Sequence, residues 1–240
     1  MVATDHRGFY TSEAASYEAT RYGSRYGRLF RILQRAAVAQ SVGQAQRILD
    51  VATGTGQMLP VLAHAAGLVV ASDLTPAMLS EARLTFPDRD GIAYSVGDAS
   101  RLPFFDGSFD VVASSRFLHL FEPAMQAILI NEMARVLKPG GTLIVDFYSH
   151  DGRSAFKVPV ALYRTLLRKR PENDFRVSIT DAQAMVKASG LDVTNIRGLG
   201  NFLLLPLAWL PMSWLVRSAA RLGSRWPRMS EQFLLTARKP

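Results

Sequence analysis

The chain has no cysteine, which excludes disulfide stapling, thiolate metal sites and cysteine-nucleophile chemistry together. Long uninterrupted apolar runs are missing too. The longest, Phe202 to Val216, covers 15 residues and is broken by Pro206 and Pro211. A bilayer-spanning helix needs about 20 apolar residues, so none is expected. The N-terminus, MVATDHRGFY, lacks the apolar core of a secretory signal. A cysteine-free chain without these segments fits a cytoplasmic location. Histidine is scarce, with only His6, His64, His119 and His150, so few side chains are candidates for proton transfer near neutral pH. Repeats and low-complexity segments are absent.

What is present suits one large domain: 240 residues, 48% hydrophobic and 20% charged, enough for a substantial core. The net charge of +8 is unevenly spread, with +3 over residues 1–46, −4 over 47–150 and +9 over 151–240. A mildly acidic middle with basic ends implies different tasks for the parts.

From residue 47 onward, short β-branched or apolar runs alternate with helical patterns. Strands are predicted at 47–51, 68–72, 92–96, 110–114 and 142–147, and helices at 57–66, 76–86 and 123–137. Thr75 is the expected cap of the second helix, with Pro76 at its first position. Lys138-Pro139-Gly140-Gly141 reads as a turn. Nearly continuous apolar strands separated by helices mean a parallel sheet covered on both faces. Residues 11–39 read as one or two helices, and 154–169 and 180–189 as two more, the last capped by Thr180. Two late strands are expected at 192–197 and 232–238, separated by an insertion, 198–231.

Chemistry concentrates in Asp50-Val51-Ala52-Thr53-Gly54-Thr55-Gly56, where a buried strand ends in a carboxylate and a small-residue loop opens a helix. Such glycines let a backbone approach a ligand closely, although a bare Gly-x-Gly is also an ordinary tight turn. The dinucleotide fingerprint fails because its third glycine falls at Leu59, and no Gly-Lys-Ser/Thr follows for a phosphate loop. Two more carboxylates close strands, Asp73 after 69–72 and Asp98 after 94–97. Ligands of parallel sheets bind at the carboxyl ends of the strands. Three acids at successive strand ends imply a ligand with an ammonium, a ribose diol and an amino-purine.

With Ser72–Leu79, Val96–Phe104, Ser108–Val112 and Arg135–Gly141 matching in order and spacing, the chain resembles class I S-adenosylmethionine-dependent methyltransferases over about residues 47–147. Ala52 departs from the pattern, which often has glycine there. The resemblance implies a doubly wound α/β, Rossmann-like sheet of seven strands with the last antiparallel, a helical N-terminal cap, and S-adenosylmethionine as cofactor. It implies that Asp50 and the backbone of Ala52, Thr53, Gly54 and Gly56 hold the methionine moiety and that Asp73 takes the ribose hydroxyls. Leu74 and Met78 then pack beside the adenine, Asp98 accepts from its amino group and Ala99 donates a backbone N–H. Gly97, Ser114, Tyr17 and Tyr22 complete the expected cofactor contacts. Asp98 could equally cap a turn, Met78 could be plain core, and the tyrosines could fill a cover helix.

Methyl transfer needs positioning and desolvation, and a base only when the acceptor must lose a proton. His119, in Ser114-Ser115-Arg116-Phe117-Leu118-His119-Leu120-Phe121, is the candidate base, with His150 second; a structural His119 packed under the cofactor is the alternative. The same segment lacks the Asn/Asp-Pro-Pro-aromatic run of amino-methylating nucleic-acid enzymes and the paired glutamates of protein arginine methyltransferases. Asp146 and Asp151 are weak support for a metal, and none is expected. The resemblance is nearest to the branch that includes ubiquinone and menaquinone methyltransferases, which implies a small lipophilic acceptor, O-methylation first and C-methylation second. An RNA methyltransferase and a noncatalytic cofactor-binding protein are the rival readings, and no nucleic-acid partner is expected.

Within 198–231, the first half is apolar and the second places Arg217, Arg221 and Arg225 on one helical face, with Arg228 beyond. Leu215, Ala219, Leu222 and Trp226 are expected on the opposite face. The pattern suits an anionic membrane surface at the inner face, a lid over the acceptor, or packing within a monomer or homodimer.

Overall fold

The computed structural model describes residues 3–87, 91–151, 174–201 and 210–240. Helices α1 (Ala3–Glu13), α2 (Tyr17–Tyr22) and α3 (Arg25–Val42) lead into the strands β1 (Ala45–Val51), β2 (Ala66–Asp73), β3 (Ile92–Val96), β4 (Phe109–Ser114), β5 (Leu137–Tyr148), β6 (Asp192–Asn201) and β7 (Ser230–Arg238). Between them lie α4 (Leu59–Ala65), α5 (Pro76–Thr85), α6 (Pro123–Val136), α7 (Ile179–Ala188) and α8 (Met212–Arg225).

The seven strands form one sheet in the order β3-β2-β1-β4-β5-β7-β6. The pairs β1–β2, β2–β3, β1–β4 and β4–β5 are parallel, whereas β7 runs antiparallel to both β5 and β6. The chain builds outward from β1 to β3, then crosses to the other side of β1 with β4. That reversal opens a crevice beyond the carboxyl ends of β1 and β4.

The sheet is apolar on both faces because neighbouring residues alternate sides. Leu49, Val112 and Val145 pack with Ile130 and Met133 of α6 and Val186 of α7. Their neighbours Ile48, Val111 and Ile144 join Val38 of α3 and Leu59 and Leu62 of α4 on the other face. Each such fully buried aliphatic side chain contributes roughly 1.5–3 kcal/mol, so two-sided burial fixes the register of the central strands.

Several local expectations differ. Thr75 occupies the cap position of α5, yet its side chain makes no capping bond; the Asp73 carboxylate accepts from the Thr75 N–H instead, at 2.8 Å. The cap of α7 is Ser178, whose hydroxyl accepts from the Asp181 N–H at 3.0 Å, so Thr180 lies inside the helix. The expected turn at 138–141 is the irregular start of β5, because Gly140 and Gly141 pair with Lys239 beyond β7. β6 runs on to Asn201 and shortens the insertion. The helix expected at 154–169 and the apolar stretch 202–209 lie outside the described residues.

Candidate active site

The loop after β1 turns by three left-handed residues, Ala52 (φ 56°), Gly54 (φ 55°) and Gly56 (φ 80°). At Gly56 a Cβ would also lie 2.9 Å from Leu59 Cδ1, so that packed side chain would have to shift. The turn aims the Gly54 N–H at Asp73, whose Oδ2 accepts it at 2.9 Å while Oδ1 accepts from Thr75. Asp50 is buried, and its Oδ2 accepts from the Thr53 hydroxyl at 2.6 Å. Burial pushes the Asp50 carboxyl up to about 7, against the lowering Thr53 bond and with a further rise from Asp73. Burial also raises Asp73. Asp98 is exposed and organises its own turn, with Oδ1 accepting from the N–H and hydroxyl of Ser100 at 2.8 and 2.7 Å.

Asp50, Asp73 and Asp98 open into one cleft, whose empty space, mouth included, is about 1240 Å³. Leu74, Met78 and Ala99 line it together with Asp73 and Asp98, and Tyr10, Tyr17 and Tyr22 enter from α1 and α2. Met78 is also fully buried, so its core and lining roles coexist. Tyr10 meets Tyr17 edge to face at 6.2 Å. The cap is fastened to the loop below it by Glu18, which accepts from the Thr55 hydroxyl at 2.5 Å and from the Gln57 amide. Beyond β4 the wall becomes apolar, with Phe117, Phe121 and Met125.

Asp146, near the end of β5, sets the shape of that wall. It is buried, and it accepts from Gln34 Nε2 at 2.5 Å, the Ser115 hydroxyl at 3.0 Å and the Arg116 N–H at 2.8 Å. Burial raises its pKa, and the donors from Arg116, Ser115 and Gln34 oppose the rise. The carboxylate thus ties α3 to the β4 loop.

A methyltransferase-domain family model matches residues 49–145. A demethylmenaquinone methyltransferase of Beutenbergia cavernae is 35% identical over 160 residues, 66% of this chain and 64% of that one, so the chain spans a little under two thirds of that relative. An uncharacterized methyltransferase of Synechocystis sp. is 31% identical, with 65% of this chain and 71% of the relative covered. The chain belongs to the class I S-adenosylmethionine-dependent methyltransferases. The fold agrees with that of a solved magnesium protoporphyrin IX methyltransferase from Synechocystis with bound S-adenosylhomocysteine, at TM-score 0.68 with both chains fully covered and 13% identity.

In this family member, Asp50, Ala52, Thr53, Gly54, Asp73, Leu74, Met78, Gly97, Asp98, Ala99, Tyr17 and Tyr22 all line the cleft. Gly56 and Ser114 do not. Gly56 backs the loop against α4, and the buried Ser114 hydroxyl donates to the Val51 carbonyl at 2.9 Å, bracing β1 against β4. His119 is likewise outside the cleft lining. It sits on the 3-10 turn Leu118–Leu120, stacked on Tyr148 with ring centroids 4.1 Å apart, and burial holds its pKa well below the usual histidine range, with Arg116, Arg21 and Arg176 adding to the fall. His150 is exposed, and its N–H donates to Val177. The charged group that the β4 loop presents to the cleft is Arg116. Its selection depends on a left-handed backbone (φ 57°) that no residue type in the segment announces.

Proposed function

We propose that this chain transfers a methyl group from S-adenosylmethionine to a small lipophilic acceptor, to oxygen by preference and to carbon second. The supporting observation is convergence in one cleft of three strand-end carboxylates on one side and Phe117, Phe121 and Met125 on the other. The donor set fits the cofactor. A buried carboxylate at Asp50 suits an ammonium, and the Asp73 carboxylate, which lines the same cleft, suits a diol. Asp98 leaves Oδ2 for an amino-purine, and Leu74, Met78 and Ala99 flank an apolar slot. Bound there, S-adenosylmethionine supplies a methyl group on a cationic sulfur.

The chain's own part is to orient and to dry the site. Tyr10, Tyr17 and Tyr22 roof it, held down through Glu18. Burial pushes the Tyr10 and Tyr22 hydroxyls up to about 12, so they remain protonated donors at neutral pH rather than bases. The apolar wall receives a flat, greasy acceptor, and the demethylmenaquinone methyltransferase relative supports a quinone-type one. No helix among the described residues is long and apolar enough to cross a membrane. The outward face of α8, with Arg217, Arg221, Arg225, Trp214 and Trp226 exposed, suits contact with anionic lipid in which such acceptors dissolve.

The test uses methyl-labelled S-adenosylmethionine with a panel of hydroquinones, naphthols and phenols, read by labelled, solvent-extractable product. Calorimetry with S-adenosylhomocysteine provides the site control: Asp73→Ala should weaken binding by about tenfold or more, the loss of charge-assisted bonds to the diol, with thermal unfolding measured alongside. Binding without product across the panel would leave a cofactor-binding protein. Unchanged binding in the variant would remove the ribose assignment.

A further inference from the structure

Arg116 bears two costs at one position. Its backbone is left-handed, φ 57°, which disfavours a residue with a Cβ by roughly 1–2 kcal/mol. Arg116 lines the cleft along with Phe117, Phe121 and Tyr22, and its guanidinium carbon lies 5.5 Å from the Tyr22 ring centroid. The buried Nε has no hydrogen-bond partner among the described residues, and no carboxylate among them lies within ion-pair distance of the guanidinium. The Tyr22 ring face and the Asp146 charge favour the cation, but a buried donor left without a hydrogen bond still costs about 1–3 kcal/mol. What keeps it there is visible: the Asp146 carboxylate, itself held by Gln34 and Ser115, accepts the Arg116 N–H at 2.8 Å and fixes the loop in its strained turn. Strain retained by a dedicated support points to a task for the side chain.

Sheet topology says on which side of the cofactor that task lies. Asp50 and Asp73 stand at the carboxyl ends of β1 and β2 and Asp98 follows β3, whereas Arg116 follows β4, on the opposite flank of β1. A nucleoside gripped toward β3 leaves Arg116 on the acceptor side, against the apolar wall.

We propose that Arg116 is an oxyanion-recognition residue of the acceptor subsite, its guanidinium receiving the ionised oxygen of a phenolate or enolate carried on a flat apolar acceptor. A planar, permanently charged fork binds such an oxygen by charge-assisted hydrogen bonds that neither lysine nor a neutral donor reproduces. The inference rests on the methyltransferase reading and adds the charge state of the substrate. For an oxygen nucleophile, a lone pair of the anion forms the bond to the methyl carbon while the carbon–sulfur pair returns to sulfur. A cation and an anion become two neutral products, and no proton needs a protein base. The placement of His119 away from the cleft then follows without a substitute.

The probe pair is 2-hydroxy-1,4-naphthoquinone, an anion at neutral pH, and neutral 2-methyl-1,4-naphthoquinone, titrated by tryptophan fluorescence with S-adenosylhomocysteine saturating. The unsubstituted protein should prefer the anion by about tenfold or more. Arg116→Gln and Arg116→Gly should lose that preference and Arg116→Lys keep part of it, all with S-adenosylhomocysteine affinity within about twofold of the parent. Arg116→Gly relieves the left-handed strain and keeps the test valid should the glutamine variant fold poorly. Lack of anion preference in the parent, or its survival in the glycine variant, overturns the proposal. So does loss of S-adenosylhomocysteine binding with methylthioadenosine binding intact, which would assign the guanidinium to the cofactor's carboxylate. A parent that binds no S-adenosylhomocysteine would instead sink the methyltransferase reading itself.

Discussion

Ala52 shows how much of this site is decided one residue at a time. It follows β1 with φ 56°, and its Cβ costs roughly 1–2 kcal/mol in that conformation. Glycine would remove the strain but add about 0.4–1 kcal/mol of unfolded-chain entropy. The balance makes Ala52→Gly more stable by about 0.5–1 kcal/mol in urea unfolding, with cofactor-product binding retained; a less stable variant would contradict the left-handed turn. The same conformational variable separates what was legible at the site from what was not. Asp50, Asp73 and Asp98 could be read because strand ends follow from hydrophobic runs. Arg116 and His119 could not be told apart, because on an irregular loop the sign of φ decides which side chain meets the cleft. At Arg116 that sign is set by a carboxylate 30 residues away, Asp146.

At the scale of elements, α8 carries the sequence's basic, tryptophan-bearing surface, but not with its apolar face outward. Leu215 and Ala219 are buried against Leu29 and Leu33 of α3. A Cβ on Gly223 would stand 2.1 Å from the Gly198 carbonyl of β6, so the helix backbone lies directly on the sheet edge. Trp226, expected on the face opposite the arginines with Leu215 and Ala219, is 46% exposed with the Arg225 guanidinium 5.5 Å from its ring. Helical periodicity identified the stripe, whereas the side it faces depended on a contact with α3 some 180 residues earlier. With the apolar stripe internal, lipid contact falls to charge and tryptophan. Each arginine near an anionic surface adds about 1 kcal/mol. Vesicles containing phosphatidylglycerol should therefore sediment the chain in low salt, while phosphatidylcholine vesicles should not. Replacing Arg217, Arg221 and Arg225 by glutamine should weaken binding by about tenfold or more, and equal binding to neutral vesicles would exclude the surface.

Across the whole molecule, the parallel sheet was legible because its strands are apolar on both faces, and the reversal after β3 places the cleft where the acids were read. The antiparallel last strand came from the family resemblance, whereas its place between β5 and β6 is seen only in the structure, since composition does not encode strand order. This architecture couples ligand binding to protonation. The cleft sinks Asp50 into the centre of the sheet, and burial raises its carboxyl to about 7, above the ordinary value near 3.9 of an unfolded chain. The ligand-free fold therefore holds the Asp50 proton more tightly than the unfolded chain does. Its contribution to stability is complete below about pH 4 and is lost as pH rises through about 7, and Asp73, also raised, acts in the same direction. A cationic amino group seated beside Asp50 reverses the balance by favouring the carboxylate, so binding must expel a proton across that window. S-adenosylhomocysteine affinity should rise from pH 5 to 7, by at most about tenfold per pH unit for one proton, and level off above. Calorimetry in buffers of different ionisation enthalpy should register the released proton. Affinity independent of pH over that range would mean that the amino group lies elsewhere.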